Sequence, residues 1–211
     1  VIAGFYEQAN ALAEGEVDVP WIETMSSNEE IAVAIEAAKA TGLPICATMT
    51  FDTASRSMMG VMPAEFAEFV RGLGANFIGA NCGIGPAELL HSVRGILAAS
   101  GSLPVVAKEN CGIPAYVDGA IHYHGTPEFI AEYALFARDA GAKIMGGVVV
   151  LARHMWRQWL PRLIKPHPAI SMRWQWLLRL GKPGRMVTLK TVVRMTVASG
   201  VVAAAKREYR L

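Results

Sequence analysis

The chain has 211 residues, of which 53% are hydrophobic, so it is long and apolar enough to bury a sizeable core, and its composition excludes a disordered chain. Its three cysteines cannot all pair and none stands in a Cys-x-x-Cys spacing, which excludes a disulfide scaffold and favours a reducing, cytoplasmic setting. The net charge of +2 conceals an asymmetry, because residues 1–150 hold 7 Lys/Arg and 17 Asp/Glu whereas residues 151–211 hold 13 and 1.

Apolar stretches in the first 147 residues alternate with helical patterns. A predicted strand over 17–23 is followed by a helix that opens at Ser27-Asn28-Glu29-Glu30 and continues with apolar residues at helical spacing. Pro63 opens another predicted helix, since its fixed φ suits the first helical turn. Further helices are expected near 86–99 and 127–140. The remaining predicted strands are 44–51, 76–82, 104–108 and 143–147.

Five strands separated by helices predict a parallel sheet built from right-handed βαβ units. Because no nucleotide-binding glycine motif is present, the pattern fits part of an eight-stranded α/β barrel better than a dinucleotide-binding domain. The predicted fold is therefore a partial (β/α)8 barrel over 1–147, followed by an irregular basic tail over 148–211. Active sites of such barrels lie at the C-terminal ends of the strands. The residues predicted at those ends are Glu23, Asp52, Asn81, Cys82 and 108–110.

Cys82 and Glu23 are the leading functional candidates among these residues. Cys82 is followed by glycines that let a ligand approach the backbone, although a lone cysteine is more often a small buried hydrophobe. Glu23 ends an apolar strand, where a buried carboxylate needs a cation, either a ligand ammonium or an internal Lys or Arg. Asp52 raises the same question, and there we favour a structural hydrogen-bonding role in the following loop.

His122 and His124 are separated by one residue in a glycine-flanked segment, which is weak support for a pair of metal ligands. We interpret both as histidines on the surface of a loop. Cys46 and Cys111 are interpreted as structural cysteines without a chemical role.

Several motifs follow one another between residues 5 and 147. They include Trp21-Ile-Glu-Thr-Met25, Ala47-Thr-Met-Thr-Phe-Asp52, Gly79-Ala-Asn-Cys-Gly83, Pro114-Ala-Tyr-Val-Asp-Gly119 and Ala140-Gly-Ala-Lys-Ile-Met-Gly-Gly147. Together they resemble the homocysteine S-methyltransferase family, which includes betaine-homocysteine methyltransferases and the homocysteine module of cobalamin-dependent methionine synthase. The resemblance is specific, because it runs in the family's order along most of this segment.

The resemblance implies a cytoplasmic barrel enzyme that transfers a methyl group to the thiol of homocysteine, giving methionine. It implies a zinc ion held by one cysteine after the sixth barrel strand, which matches Cys82, and by two adjacent cysteines after the eighth. Glu23 matches the carboxylate that holds the homocysteine amino group, and Asn81 belongs with it in the substrate-binding shell. Zinc suits this chemistry because a thiol of pKa about 8.5 is mostly protonated at neutral pH, whereas a zinc-bound thiol is a thiolate.

Two departures from the family pattern bear on activity. The family's early strands, with an Asp-Gly-Gly-type segment, are missing before Val1, so we expect this chain to be a fragment. The adjacent cysteine pair is replaced by Val148 and Val149. Residues 148–159 can be encoded by a DNA sequence that, when it is translated from its third base instead of its first, gives Cys-Gly-Thr-Gly-Pro-Ala-His. This is how the family's sequence continues. We therefore interpret 148–211 as a frameshifted tail and expect weak zinc binding and little activity.

The alternative interpretation is a barrel fragment without catalysis, whose basic and aromatic tail binds an anionic membrane or nucleic acid. Prolines and glycines between positions 161 and 184 interrupt any long amphipathic helix, so we expect neither partner. The expected partners are homocysteine and a methyl donor, which is a betaine-like amine, a sulfonium, or methyltetrahydrofolate through cobalamin. A partial barrel also exposes sheet edges, which leaves it open to pairing with another chain.

Overall fold

The computed structural model describes residues 2–52, 54–110, 112, 115–122, 125–148 and 194–195. Helices and strands alternate along most of this part of the chain. In order they are α1 (Ile2–Glu14), β1 (Trp21–Met25), α2 (Asn28–Lys39), β2 (Cys46–Met49), α3 (Pro63–Gly72), β3 (Phe77–Asn81), α4 (Pro86–Ala99), β4 (Val105–Glu109), β5 (Ala115–Val117), β6 (Ala120–His122), α5 (Pro127–Ala140), β7 (Ile144–Gly147) and β8 (Arg194–Met195).

One parallel sheet carries the architecture, with the strand order β7-β4-β3-β2-β1-β8. The five strands predicted from the sequence are β1, β2, β3, β4 and β7, and each lies beside its predecessor in that series. This arrangement is expected when each crossover helix returns the chain to the neighbouring parallel position. The predicted α/β class with a parallel sheet is confirmed.

The helix boundaries follow local sequence signals. Ser27 accepts a hydrogen bond on its side chain from the backbone N–H of Glu30 at 3.1 Å, which caps the start of α2. Pro63 is the first residue of α3, and Thr126 caps α5 in the same way as Ser27 caps α2. The predicted helices at 86–99 and 127–140 coincide with α4 and α5.

The main core lies between the sheet and its helices. Alternate strand residues, including Ile22, Ala47 and Ile78, pack with buried helical residues such as Ile31 and Phe66. On the opposite face of the sheet, Trp21, Cys46 and Val106 form a smaller buried cluster. This division follows from the two-residue period of a strand, and it places the two neighbours of each core residue on the opposite face.

Helix α1, the strands β5 and β6 and the two-residue strand β8 were not predicted, and β8 lies within the segment expected to be an irregular tail, most of which is outside the described residues. Helix α1 buries Phe5 and Ala9, which are four residues apart on one helix face. The segment around His122, interpreted above as a loop, forms the antiparallel hairpin β5-β6 instead. Its turn residues Asp118 and Gly119 have φ values of 50° and 79°, and an Asp-Gly pair suits such a turn because both residues tolerate positive φ.

No helix within the described ranges is long and apolar enough to cross a membrane.

Candidate functional site

Strands β1, β3 and β4 bring together most of the residues singled out from the sequence. Glu23 lies in β1, Asn81 ends β3 with Cys82 next to it, and Lys108 lies near the end of β4. Asn81 is directly opposite Lys108 in the sheet register, and the backbone N–H of Cys82 donates to the carbonyl oxygen of Lys108 at 3.1 Å. The parallel strands therefore deliver a carboxylate, an amide, a thiol and an ammonium group to one edge.

Glu23 forms an ion pair with Lys108 through its Oε1 and the lysine Nζ. The two side chains are only 2% and 11% exposed, respectively. The lysine Nζ also lies 4.9 Å from the centre of the Trp21 ring, within the range of a cation–π interaction. An internal cation thus meets the buried carboxylate, which was one of the two alternatives that the sequence left open.

Gly146 makes room for the lysine side chain. Lys108 lies opposite Gly146 in the β4-β7 register. A Cβ atom at position 146 would lie 2.9 Å from Cγ of Lys108, closer than real Cβ contacts come. The absence of a side chain on β7 is therefore a steric requirement for the observed path of the lysine.

Asn81 connects the strands through its fully buried amide. Its Oδ1 accepts hydrogen bonds from the backbone N–H of Thr24 at 3.0 Å and from the Thr48 hydroxyl at 2.7 Å. Its Nδ2 donates to Oγ1 of Thr24 at 2.7 Å and to Sγ of Cys82 at 3.3 Å. The hydrogen-bonding capacity of the amide is thus used within the protein.

The backbone is strained on both sides of this amide. Thr24 has a φ of 65°, which β-branched residues rarely adopt, and the β1-β2 register shifts between Ile22 and Met25. Cys82 also has a positive φ, of 59°. Such conformations persist where the surroundings enforce them, and they concentrate at functional sites.

Cys82 is partly exposed at the start of a short loop. Gly83 follows with a φ of 82°, and its carbonyl oxygen accepts a hydrogen bond from Nδ2 of Asn110 at 2.6 Å. The loop after β3 is thereby tied to the segment after β4. The thiol stands at the strand ends beside an amide donor, where a ligand can approach it.

The described residues do not form a metal site. No group of three or more His, Cys, Asp or Glu side chains among them is arranged to hold a metal ion. Val148, which directly follows β7, places an apolar side chain where the resemblance requires a thiolate. Val149 lies outside the described residues, but its side chain also carries no donor. These residues do not fit a zinc site built from three thiolates.

The other candidates separate according to their burial. Cys46 is buried, and desolvation raises the pKa of its thiol well above the ordinary value. The charge of Lys108 lowers this pKa and the charge of Glu23 raises it, both by smaller amounts. Such a thiol is a poor nucleophile, in agreement with its structural interpretation. His122 is exposed, as expected for a surface histidine, and Asp52 is half-buried after β2. Cys111 and His124 lie outside the described residues.

Glu109 faces away from this site, although the sequence grouped it with Lys108. It is 0% exposed on the helix-facing side of β4, and neither carboxyl oxygen has a hydrogen-bond partner in the described part of the chain. Burial, assisted by the carboxylate of Glu88, raises its pKa from 4.5 to about 8. Burial and Glu109 also raise the pKa of Tyr133 well above its ordinary value. Strand alternation is the signal that separates residues 108 and 109.

Comparison with known proteins identifies the sequence pattern. The family model described as homocysteine S-methyltransferase matches residues 1–148. Methionine synthase of Mycobacterium tuberculosis is 26% identical over 150 residues, covering 68% of this chain and 12% of that protein. Betaine–homocysteine S-methyltransferase 1 of Mus musculus is 28% identical over 166 residues, covering 68% and 39%, respectively. The chain thus spans less than half the length of these relatives.

A solved structure shares the fold. The apo homocysteine methyltransferase MmuM from Escherichia coli superimposes with a TM-score of 0.61 at 17% identity, covering 76% of this chain and 57% of that one. The described sheet and helices therefore have the same arrangement as part of the MmuM chain.

Proposed function

Because the chain belongs to the homocysteine S-methyltransferase family, we propose that it serves the transfer of a methyl group to the thiol of homocysteine, giving methionine. The observation that supports this most directly is the convergence of Glu23, Asn81 and Cys82 at one sheet edge. We assign the parallel strands to the C-terminal part of a (β/α)8 barrel, in which that edge carries the chemistry.

Glu23 is proposed to anchor the ammonium group of homocysteine. Its carboxylate is buried and already holds a cation, so the site is suited to a positive charge. Asn81 is proposed to act on the substrate through Cys82, because its amide is engaged by Thr24, Thr48 and the cysteine sulfur. The amide N–H of Asn81 would then hold the sulfur of Cys82 in a fixed orientation.

The proposed zinc ligand Cys82 lacks its two partners in this chain. The backbone N–H of Val148 donates to the carbonyl oxygen of Glu109 at 2.8 Å, which continues β7 along β4. Cys82 flanks β4 from the other side. A cysteine at 148 would therefore stand at the same edge as Cys82, and we attribute the absence of the family's cysteine pair to a shifted reading frame over 148–211. The chain as written is then expected to hold zinc weakly and to have little activity.

The resemblance to the family suggests three chemical classes of methyl donor. These are a betaine-like amine, a sulfonium, and methyltetrahydrofolate acting through cobalamin. The relatives named above divide between a methionine synthase and a betaine–homocysteine methyltransferase. We place the reaction in the cytoplasm, where free thiols persist.

The test compares the chain as written with a variant whose coding sequence carries one extra base directly after the codon for Gly147. Zinc content after dialysis and formation of methionine from homocysteine are measured with each of the three donors. We expect the frame-restored protein to retain stoichiometric zinc and the original chain to lose it. In the frame-restored protein, Cys82→Ala should abolish zinc retention, whereas Cys46→Ala should not.

Two results would contradict the proposal. Zinc retention that does not change on Cys82→Ala would remove the metal assignment. Stoichiometric zinc and methionine formation by the chain as written would show that the frame of its last segment is functional.

A further inference from the structure

We infer that Lys108 recognises the carboxylate of the amino-acid substrate, so that Glu23 and Lys108 together form a receptor for a zwitterion. The inference rests on the proposed function and extends it, because it names the group that reads the second charge of homocysteine. An α-amino acid carries an ammonium and a carboxylate on one carbon atom, and the ion pair presents one group complementary to each.

The position of Lys108 supports a ligand-binding role. Its carbonyl oxygen accepts the N–H of Cys82 and its Cα is paired with that of Asn81, so the lysine shares its surroundings with the thiol. Its side chain is 11% exposed, whereas that of Glu23 is 2% exposed. The lysine therefore borders the accessible edge of the site, and the carboxylate lies beneath it.

Trp21 supplies a second observation at the same place. Its indole Nε1–H is buried and has no acceptor among the residues that the structure describes, while Nζ of Lys108 lies 4.9 Å from the ring centre. A buried donor without an acceptor is unfavourable. A carboxylate bound beside Lys108 would bring acceptor oxygens into a region that holds an ammonium group and a free indole N–H.

Binding then becomes an exchange of partners. The substrate ammonium replaces Nζ of Lys108 on Glu23, and the released lysine pairs with the substrate carboxylate. Two positive and two negative charges are present before and after the exchange, so no buried charge is left alone and no proton needs to move. The free end of the lysine can swing while its base stays above Gly146, which leaves that space open.

This exchange predicts how charge-deleted ligands behave. A ligand without a carboxylate pairs with Glu23 and leaves Lys108 without an anion. A ligand without an ammonium has to bind Lys108 while Glu23 competes for the same lysine. Both should bind less tightly than the zwitterion. The two ligands should also respond differently when Lys108 loses its charge.

The experiment titrates the 211-residue chain and its Lys108→Met variant with three thiols in a calorimeter. The ligands are L-homocysteine, 3-aminopropane-1-thiol, which lacks the carboxylate, and 4-sulfanylbutanoate, which lacks the ammonium. Loss of a charge-assisted contact should weaken homocysteine and 4-sulfanylbutanoate roughly 10- to 100-fold. Binding of 3-aminopropane-1-thiol should be unchanged or tighter, since the lysine no longer competes for Glu23.

Controls separate recognition from folding. Lys143→Met removes an exposed lysine next to β7 and should leave all three affinities unchanged. Because Lys108→Met leaves Glu23 buried without its cation, circular dichroism is recorded for each variant. If that variant does not fold, the double variant Glu23→Gln/Lys108→Met, which removes both charges, takes its place and should lose the preference for the zwitterion over either analogue.

The outcomes distinguish this inference from the proposed function when L-norvaline, which carries a methyl in place of the thiol, is included. Equal weakening of homocysteine and 3-aminopropane-1-thiol by Lys108→Met would overturn the role of Lys108 and leave the thiol substrate standing. Lysine-dependent binding of homocysteine and norvaline with equal affinity would support the zwitterion receptor and count against a thiol substrate. A chain that binds neither amino acid would refute both.

Discussion

Glu109→Gln should stabilise the protein, and the gain should grow with pH. The carboxyl of Glu109 is fully buried between β4 and the helices without a hydrogen-bond partner among the described residues, and its pKa is raised from 4.5 to about 8. The folded state therefore holds a proton that the unfolded chain releases. Stability from this group is greatest below pH 4.5 and is lost as pH rises to about 8.

The shift sets an upper bound on the effect. At about 1.4 kcal/mol per pKa unit, a shift from 4.5 to about 8 corresponds to about 5 kcal/mol at alkaline pH and about 3 kcal/mol at pH 7. Most of this cost comes from desolvation, and the remainder comes from the carboxylate of Glu88. Glutamine has a similar shape and no charge, so its contribution does not depend on pH.

The assay is urea unfolding followed by far-ultraviolet circular dichroism at about pH 5.5, 7 and 9. The difference in unfolding free energy between Glu109→Gln and the wild type should increase by several kcal/mol across this range. Glu88→Gln, at an exposed position, is the matched control and should recover only a small part of the difference. Parallel loss of stability in the wild type and Glu109→Gln between pH 5.5 and 9 would refute a buried, protonated carboxyl.

Three further substitutions follow from the packing. Asn81→Ala should cost about 1–3 kcal/mol for each buried group left without a partner, beginning with the N–H of Thr24, and unchanged urea unfolding would show that the amide bonds are unimportant. Gly146→Ala should destabilise by roughly 1–3 kcal/mol because its Cβ meets Lys108, whereas Gly72→Ala has open space and should not; equal melting temperatures would contradict this. Ser27→Ala should cost about 1 kcal/mol in thermal unfolding, and no loss would mean that water replaces the cap.

The sheet was predictable because local signals agree with the tertiary structure. Residues 44–51 and 76–82 are apolar over the length of a strand, and the helices between them begin at a capping serine or a proline. The crossover rule then leaves one arrangement for successive parallel strands. The hairpin is harder to predict because each of its strands has only three residues, and its main local signal is the Asp118-Gly119 turn.

The candidate site was predictable only as a set of positions. The ends of the strands locate Glu23, Asn81 and Cys82, but the sequence does not say which cation meets Glu23, because Lys108 is distant along the chain and reaches it across two intervening strands. Adjacent residues of a strand point to opposite faces, so Lys108 and Glu109 must separate, but which of the two faces the site depends on the register of β4 in the sheet.

The four hydrogen bonds of Asn81 have a consequence for how the ends of β1 and β3 can move. One amide joins Thr24, next to Glu23, to the sulfur of Cys82, and it is also held by Thr48. Because all four bonds use one buried side chain, the end of β1 cannot shift without disturbing the thiol after β3. A ligand that displaces Thr24 therefore also displaces the sulfur of Cys82.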